Sequence, residues 1–168
     1  MPRKRCAFYT LGCKVNQYDT EGLMKLFGER GYDTVDFDSA ADVYCINTCT
    51  VTQVADKKSR QAVRRARRLN PKAVVAVVGC YAQVAPEEVA AIPGVDVVCG
   101  TEGRGALVDL VEQAMRREGP ILHVRRGRPS GCFEELPSSH FAGRHRGFVK
   151  VQDGCDEYCA YCRVPFAR

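Results

Sequence analysis

Between Cys6 and Arg117, five short and nearly continuous apolar runs alternate with stretches of helical periodicity. The runs are Cys6–Leu11, Thr34–Phe37, Val43–Asn47, Ala73–Val78 and Val95–Cys99; the helical stretches are Thr20–Arg30, Val54–Leu69, Pro86–Ala91 and Gly105–Arg117. A strand wet on one face alternates apolar and polar residues, whereas a strand covered on both faces reads as unbroken Val, Ile and Ala. Ala73-Val-Val-Ala-Val-Val78 is of the second kind. Buried strands separated by helices predict an α/β fold: an open, mostly parallel, Rossmann-like sheet with helices on both faces. Pro86 suits the first turn of a helix, where its missing N–H loses no partner. In Val54–Leu69 the residues Ser59, Ala62, Val63, Ala66 and Leu69 share one face, and basic residues fill most of the rest.

At Glu118 the composition changes. Gly, Pro, Ser, Arg and His dominate as far as Arg146, with Gly-Pro, Arg-Pro-Ser-Gly and Leu-Pro-Ser-Ser as turn signals. Apolar residues return at Gly147-Phe-Val-Lys-Val-Gln152, a predicted strand, which runs straight into Asp153-Gly-Cys-Asp-Glu-Tyr-Cys-Ala-Tyr-Cys162. The chain thus divides into a first domain at 1–118, a basic linker at 119–146 and the start of a second, truncated domain at 147–168. The longest nearly apolar run, Ala73–Ala82, falls far short of the roughly 20 residues that span a bilayer. The basic start Met-Pro-Arg-Lys-Arg precedes no long apolar signal segment. A cytoplasmic protein without membrane contact is the expectation.

The net charge of +5 is unevenly spread. Val54–Asn70 holds seven basic residues and one acid, and Gly119–Lys150 holds six basic and two acidic. Such asymmetry predicts a polyanionic partner, with nucleic acid the foremost candidate.

Ten cysteines in a reducing compartment read as metal ligands or redox groups before they read as disulfides. Cys155, Cys159 and Cys162 are spaced Cys-x3-Cys-x2-Cys, the short unequal spacing with which one loop wraps three corners of a cubane. Three thiolates leave a fourth iron open. A structural zinc site wants two Cys-x2-Cys-like pairs, and only one is present here, with His145 as a distant candidate fourth ligand. Cys13, Cys49 and Cys80 each follow a predicted strand directly. In an open parallel sheet the carboxyl ends of the strands line one crevice, and neighbouring strands lie about 5 Å apart, so three such thiols can meet. Cys99 also ends a strand and stays open as a fourth ligand, Cys45 reads as core, and Cys6 and Cys132 read as incidental. Gly100-Thr-Glu-Gly-Arg-Gly105 reads as a plain turn rather than a phosphate cradle. Asn16 and Gln17 either face the crevice or cap a helix. No Ser-His-Asp or paired-carboxylate arrangement stands out, and His123, His140 and His145 all fall in the linker.

Val151-Gln-Asp-Gly-Cys-Asp-Glu-Tyr-Cys-Ala-Tyr-Cys-Arg-Val-Pro-Phe-Ala-Arg168 resembles the cluster loop of radical S-adenosylmethionine enzymes, in the version used by methylthiotransferases. Thr10-Leu-Gly-Cys-Lys-Val-Asn-Gln-Tyr-Asp-Thr-Glu21, Asn47-Thr-Cys-Thr-Val-Thr52 and Val78-Gly-Cys-Tyr-Ala-Gln83 resemble the amino-terminal motifs of that family, so the likeness runs nearly end to end. The resemblance implies two 4Fe–4S clusters. Cys13, Cys49 and Cys80 would hold one, which presents or supplies sulfur. Cys155, Cys159 and Cys162 would hold the other, whose open iron chelates S-adenosylmethionine and cleaves it to a 5′-deoxyadenosyl radical. Tyr161 would pack near the adenine, and no catalytic residue is separable from the cluster ligands. The implied partners are tRNA and a low-potential electron donor, with Arg64, Arg65, Arg67 and Arg68 as candidate contacts to tRNA phosphates. The first motif is most similar to members acting on N6-threonylcarbamoyladenosine beside the anticodon. Siblings acting on N6-isopentenyladenosine or on a ribosomal-protein aspartate are the alternatives, and a non-catalytic iron–sulfur or RNA-binding module is the alternative of another class. Lacking most of the barrel, the chain alone is expected to be inactive.

Overall fold

The computed structural model describes residues 3–49, 53–116, 119–127, 133–137 and 148–168. Six strands, β1 (Arg5–Thr10), β2 (Asp33–Val35), β3 (Val43–Thr48), β4 (Val74–Gly79), β5 (Val97–Cys99) and β6 (Ile121–His123), form one sheet. Its order is β2-β1-β3-β4-β5-β6, and every neighbouring pair is parallel. The helices are α1 (Lys14–Glu29), α2 (Gln53–Leu69), α3 (Cys80–Val84), α4 (Pro86–Ala90), α5 (Leu107–Ala114) and α6 (Val164–Ala167), with a 3-10 turn at Arg104–Ala106.

Every residue of β3 and β4 is buried, as unbroken apolar runs require. The pleat sends alternate side chains to opposite faces. Tyr44, Ile46, Val75 and Val77 join Ala62, Val63 and Ala66 of α2 and Val89 of α4 on one face. Val43, Cys45, Val74, Ala76 and Val78 join Leu23 and Phe27 of α1 and Leu107, Val108 and Val111 of α5 on the other. Helices therefore cover both faces of an α/β sheet, and Pro86 opens α4 as predicted. Among the described residues no helix is long and apolar enough to cross a membrane.

Several elements differ from expectation for identifiable reasons. The first helix starts at Lys14 rather than Thr20, because its opening turns bury Asn16, Asp19 and Thr20, a polar face that apolar periodicity does not register. Ile121–His123 is a strand inside the stretch read as linker, and its three residues on an incompletely covered edge leave too short an apolar run to recognise. The predicted strand at Gly147–Gln152 is not formed over its described residues, 148–152. Val149 and Val151 point outward, 85% and 87% exposed, and no described strand lies alongside to pair with them. Cys132, His140, His145 and half of the predicted linker lie outside the described residues.

Gly79 closes β4 at φ +95 and ψ −157, a conformation essentially confined to glycine. A Cβ there would lie 2.4 Å from Asn47 Oδ1 and 2.8 Å from the Thr48 carbonyl oxygen. Asn47 cannot swing away freely, since its amide donates to the Asn16 carbonyl at 2.9 Å and to Thr20 Oγ1 at 3.1 Å. Gly79→Ala should therefore destabilise the chain by on the order of 1–3 kcal/mol from backbone conformation alone, read from urea unfolding. Gly28→Ala is the control: beyond its own helical turn no atom lies within 4 Å of its Cβ position, so it should be neutral or stabilising by up to about 1 kcal/mol. Equal stability of Gly79→Ala and the parent chain would show that this turn is not constrained as described.

Candidate metal centre

The order in which the strands are laid down reverses between β1 and β3. From β1 the chain steps to β2 on one side and then to β3 on the other, and open parallel sheets bind ligands at the carboxyl ends of strands flanking such a switch. Cys13 and Cys49 stand there. Cys13 is the residue before α1, extended at φ −92 and ψ 178 and exposed. Cys49 follows β3 directly, and Cys80 opens α3 directly behind Gly79; both are only 8% exposed. Thr48 is the register partner of Gly79, so Cys49 and Cys80 leave their strands in step. A Cβ on Gly12 would lie 3.0 Å from Cys49 Sγ, so the missing side chain lets the Cys13 and Cys49 loops touch. Burial pushes the Cys80 thiol up; the Arg168 guanidinium opposes this, and the Cys49 and Cys13 sulfurs add to it. All three predicted thiols of the first set thus share one neighbourhood.

A polar clamp holds the three loops. Asn16, buried one turn into α1, donates to the carbonyls of Leu11 at 2.8 Å and Thr48 at 2.9 Å, tying the Cys13 loop to the Cys49 loop. Thr48 Oγ1 donates to the Val78 carbonyl at 2.6 Å, tying β3 to the strand that carries Cys80. Asn16 is thus neither a cap nor a free crevice group, and Gln17 lies half-buried on α1.

Among the described residues no three Cys, His, Asp or Glu side chains close around a single-ion position. Cys99 does not join the three: it lies wholly buried in the core, and burial pushes its thiol up to about 12. Cys6 is also core, pushed up to about 11, and so is Cys45, raised by burial.

The second set lies on one loop. Tyr158 takes the left-handed conformation at φ 48, and the Cys162 N–H donates to the Cys159 carbonyl at 2.9 Å. The backbone therefore curls tightly, with Cys159 exposed and Cys155 and Cys162 half-buried. Tyr158 packs edge-on against Phe166 with ring centroids 5.6 Å apart, whereas Tyr161 stands 92% exposed. The end of this segment docks on the first domain, where Thr101 Oγ1 donates to the Ala167 carbonyl at 2.9 Å.

An ion network that the sequence pattern did not signal supports the docking. Asp19, with no exposed surface, accepts from Lys150 Nζ at 2.8 Å, from Arg168 at 2.8 Å and from Arg104. Asp153 accepts from Lys150 at 2.5 Å, from Arg104 at 3.1 Å and from Arg168. Glu134 pairs with Arg104 at 2.9 Å. Burial would raise the Asp153 carboxyl, but Arg168, Lys150 and Arg104 together hold it below its ordinary value. Most of these partners lie far apart in sequence, so the only available signal was the clustering of Asp19, Lys150, Asp153 and Arg168 around the cysteine motifs.

The four candidate arginines of α2 have different surroundings. Arg67 is committed to the fold, donating to the carbonyls of Gly94, Pro71 and Ala73 and to Asp96. Arg65 pairs with Asp38 and lies over the Phe37 ring, while Arg64 and Arg68 line the helix's outer side. A cavity of about 820 Å³ is lined by Tyr9, Phe37, Lys58, Arg64, Arg65 and Arg68 among others.

The family described as Uncharacterized protein family UPF0004 matches residues 5–100, more than half of the chain. The chain is 49% identical over 96% of its length to the threonylcarbamoyladenosine tRNA methylthiotransferase MtaB of Bacillus subtilis, and 44% identical over 98% to that of Aquifex aeolicus. It is 30% identical over 98% of its length to the tRNA-2-methylthio-N(6)-dimethylallyladenosine synthase of Rickettsia prowazekii. It spans 36%, 40% and 39% of these three relatives. The chain belongs to the UPF0004 family, the family of the amino-terminal domain of tRNA methylthiotransferases.

Proposed function

We propose that this chain is the front part of a tRNA methylthiotransferase that converts N6-threonylcarbamoyladenosine, next to the anticodon, to its 2-methylthio derivative with two 4Fe–4S clusters and S-adenosylmethionine. The observation that carries this reading is the gathering of Cys13, Cys49 and Cys80 on neighbouring loops at the carboxyl edge of the sheet, in a chain similar over nearly its whole length to proteins named for that reaction. In this reading residues 1–118 form the domain of the first cluster, 119–146 a linker and 147–168 the start of the radical domain.

When bound, the two clusters supply an electron for radical chemistry on S-adenosylmethionine and a sulfur for transfer, and a low-potential donor replenishes the electrons. The residues of the chain do the holding. Cys13, Cys49 and Cys80 offer three thiolates from loops that follow three strands, and Asn16 together with Thr48 ties those loops to one another. Only three thiolates per cluster leave one iron free for a ligand from outside the protein, which suits both sulfur presentation and chelation of S-adenosylmethionine. Cys155, Cys159 and Cys162 do the same from a curled loop, and the exposed Tyr161 ring is free to lie against an adenine.

Arg64, Arg65 and Arg68 beside the α2 cavity bind tRNA phosphates in this reading, while Arg67 holds the helix to the sheet. The variant Arg64→Gln/Arg65→Gln/Arg68→Gln should flatten the salt dependence of tRNA binding, with the slope falling by roughly one unit for each arginine–phosphate pair removed. A wild-type slope in that variant would assign this face to solvent.

Mass spectrometry of digested tRNA nucleosides tests the activity. With reductant, S-adenosylmethionine and tRNA carrying threonylcarbamoyladenosine, the reconstituted 168-residue chain should give no 2-methylthio product, because three thiolates and one aromatic ring form too little of the S-adenosylmethionine pocket. A protein carrying these residues at the length of the relatives should give it. Product from the short chain alone would contradict the proposed division of labour. Product only on isopentenyladenosine would move the substrate to the sibling class and leave the chemistry standing.

A further inference from the structure

One arginine bridges the two segments that carry the cysteine sets. The Arg168 guanidinium donates through Nη1 to Asp153, two residues before Cys155, and through Nη2 to Asp19 at 2.8 Å and Asn16 Oδ1 at 2.6 Å. Its positive charge also acts on the Cys80 thiol, opposing the upward push of burial. The Asn16 amide is the group that ties the Leu11 and Thr48 carbonyls, so one side chain reaches all three loops of the first triad directly or through a single residue. The backbone completes the fit: a Cβ on Gly154 would lie 2.8 Å from the Arg168 carbonyl, so the two ends of the second loop close on each other at this point.

We propose that Arg168 is a positioning residue that registers the Cys155–Cys159–Cys162 loop on the Cys13, Cys49 and Cys80 loops, one arm of its guanidinium held by Asp153 and the other by Asp19. The inference rests on the proposed function for what the two triads carry, but the docking itself concerns only residues of this chain. A guanidinium presents donors in a rigid planar fork, whereas an ammonium is a single point that cannot occupy both arms. Asp19 keeps Arg104 and Lys150 when Arg168 is replaced, and so does Asp153, so neither acid is left as a lone buried charge. Replacement should therefore undock the loop without unfolding the sheet.

Hydrogen exchange of the metal-free 168-residue chain, read by mass spectrometry, tests this. Arg168→Gln and Arg168→Lys should both speed exchange of peptides within 148–168 by on the order of tenfold, with β1, β3 and β4 unchanged. Wild-type exchange in Arg168→Gln would overturn the proposal. So would full restoration by Lys, which would reduce the fork to a charge, or faster exchange spread over the strands, which would make Arg168 a stability residue of the first domain. After anaerobic reconstitution, the magnetic interaction between the two reduced clusters should change in the electron paramagnetic resonance spectrum of Arg168→Gln at unchanged iron content. An unchanged interaction would overturn the claim that Arg168 registers the triads. Failure of the parent chain to take up iron would instead overturn the proposed function, while hydrogen exchange would still decide the docking.

Discussion

Parallel strands that start together end together, and the candidate centre depends on that. Thr10 lies opposite Asn47 and Thr48 opposite Gly79, so the three cysteine loops leave one edge of the sheet within a few residues of one another. Ordinarily a register slip of one residue is prevented because it would turn the apolar side chains outward. Here both faces of β3 and β4 are buried and apolar, so hydrophobicity constrains register only weakly. The side chains of Asn16, Asn47 and Thr48 tie the strand ends and the helix start together at the carboxyl edge. A shift of β3 by one residue would break these bonds and displace Cys49 from Gly12. The same polar residues that specify the sheet therefore specify the spacing of the thiols.

The charged groups divide by depth. Exposed pairs such as Arg3–Asp33, Arg30–Asp109 and Arg126–Glu87 are solvent-screened and each contributes at most about 1 kcal/mol. The network of Asp19, Glu134 and Asp153 with Arg104, Lys150 and Arg168 balances three acids against three bases, with Asp19 and the bases buried and Glu134 and Asp153 at its rim. Such networks contribute little net stability, because desolvation offsets attraction, but their geometry is exacting and loss of a partner is costly. Its place between the core of the first domain and the second cysteine loop fits a part in alignment. The bulk of the stability comes instead from the buried aliphatic side chains of β3, β4 and the helices, at about 1.5–3 kcal/mol for each fully buried Val, Leu or Ile.

Apolar pattern made most of the sheet readable in advance. The runs at Val43 and Ala73 mapped onto β3 and β4 almost residue for residue, and a cysteine directly after a run pointed to the carboxyl edge. What pattern could not convey was polar burial. Asn16, Asp19 and Thr20 form the inward face of the first turns of α1, and their partners at Thr48, Asn47, Arg104 and Arg168 lie between 27 and 152 residues away. Cys99 had the same local signature as Cys80, a thiol closing a Val-rich run. Only tertiary packing separates the two: Cys99 stays within the core, whereas Gly79 turns Cys80 out of its strand. Arg67 likewise carried the same letter as Arg64 and Arg68, yet it lies where four acceptors of the fold converge.

The central claim is that loops from β1, β3 and β4 bring three thiolates to one cluster. Iron and acid-labile sulfide per chain in the variant Cys155→Ala/Cys159→Ala/Cys162→Ala, after anaerobic reconstitution, measure this most directly, because that variant leaves only the first triad. About four irons and four sulfides should remain, and the further change Cys49→Ala should remove them. Iron that stays at the level of a chain lacking all six cysteines, or that survives the loss of Cys49, would contradict the account.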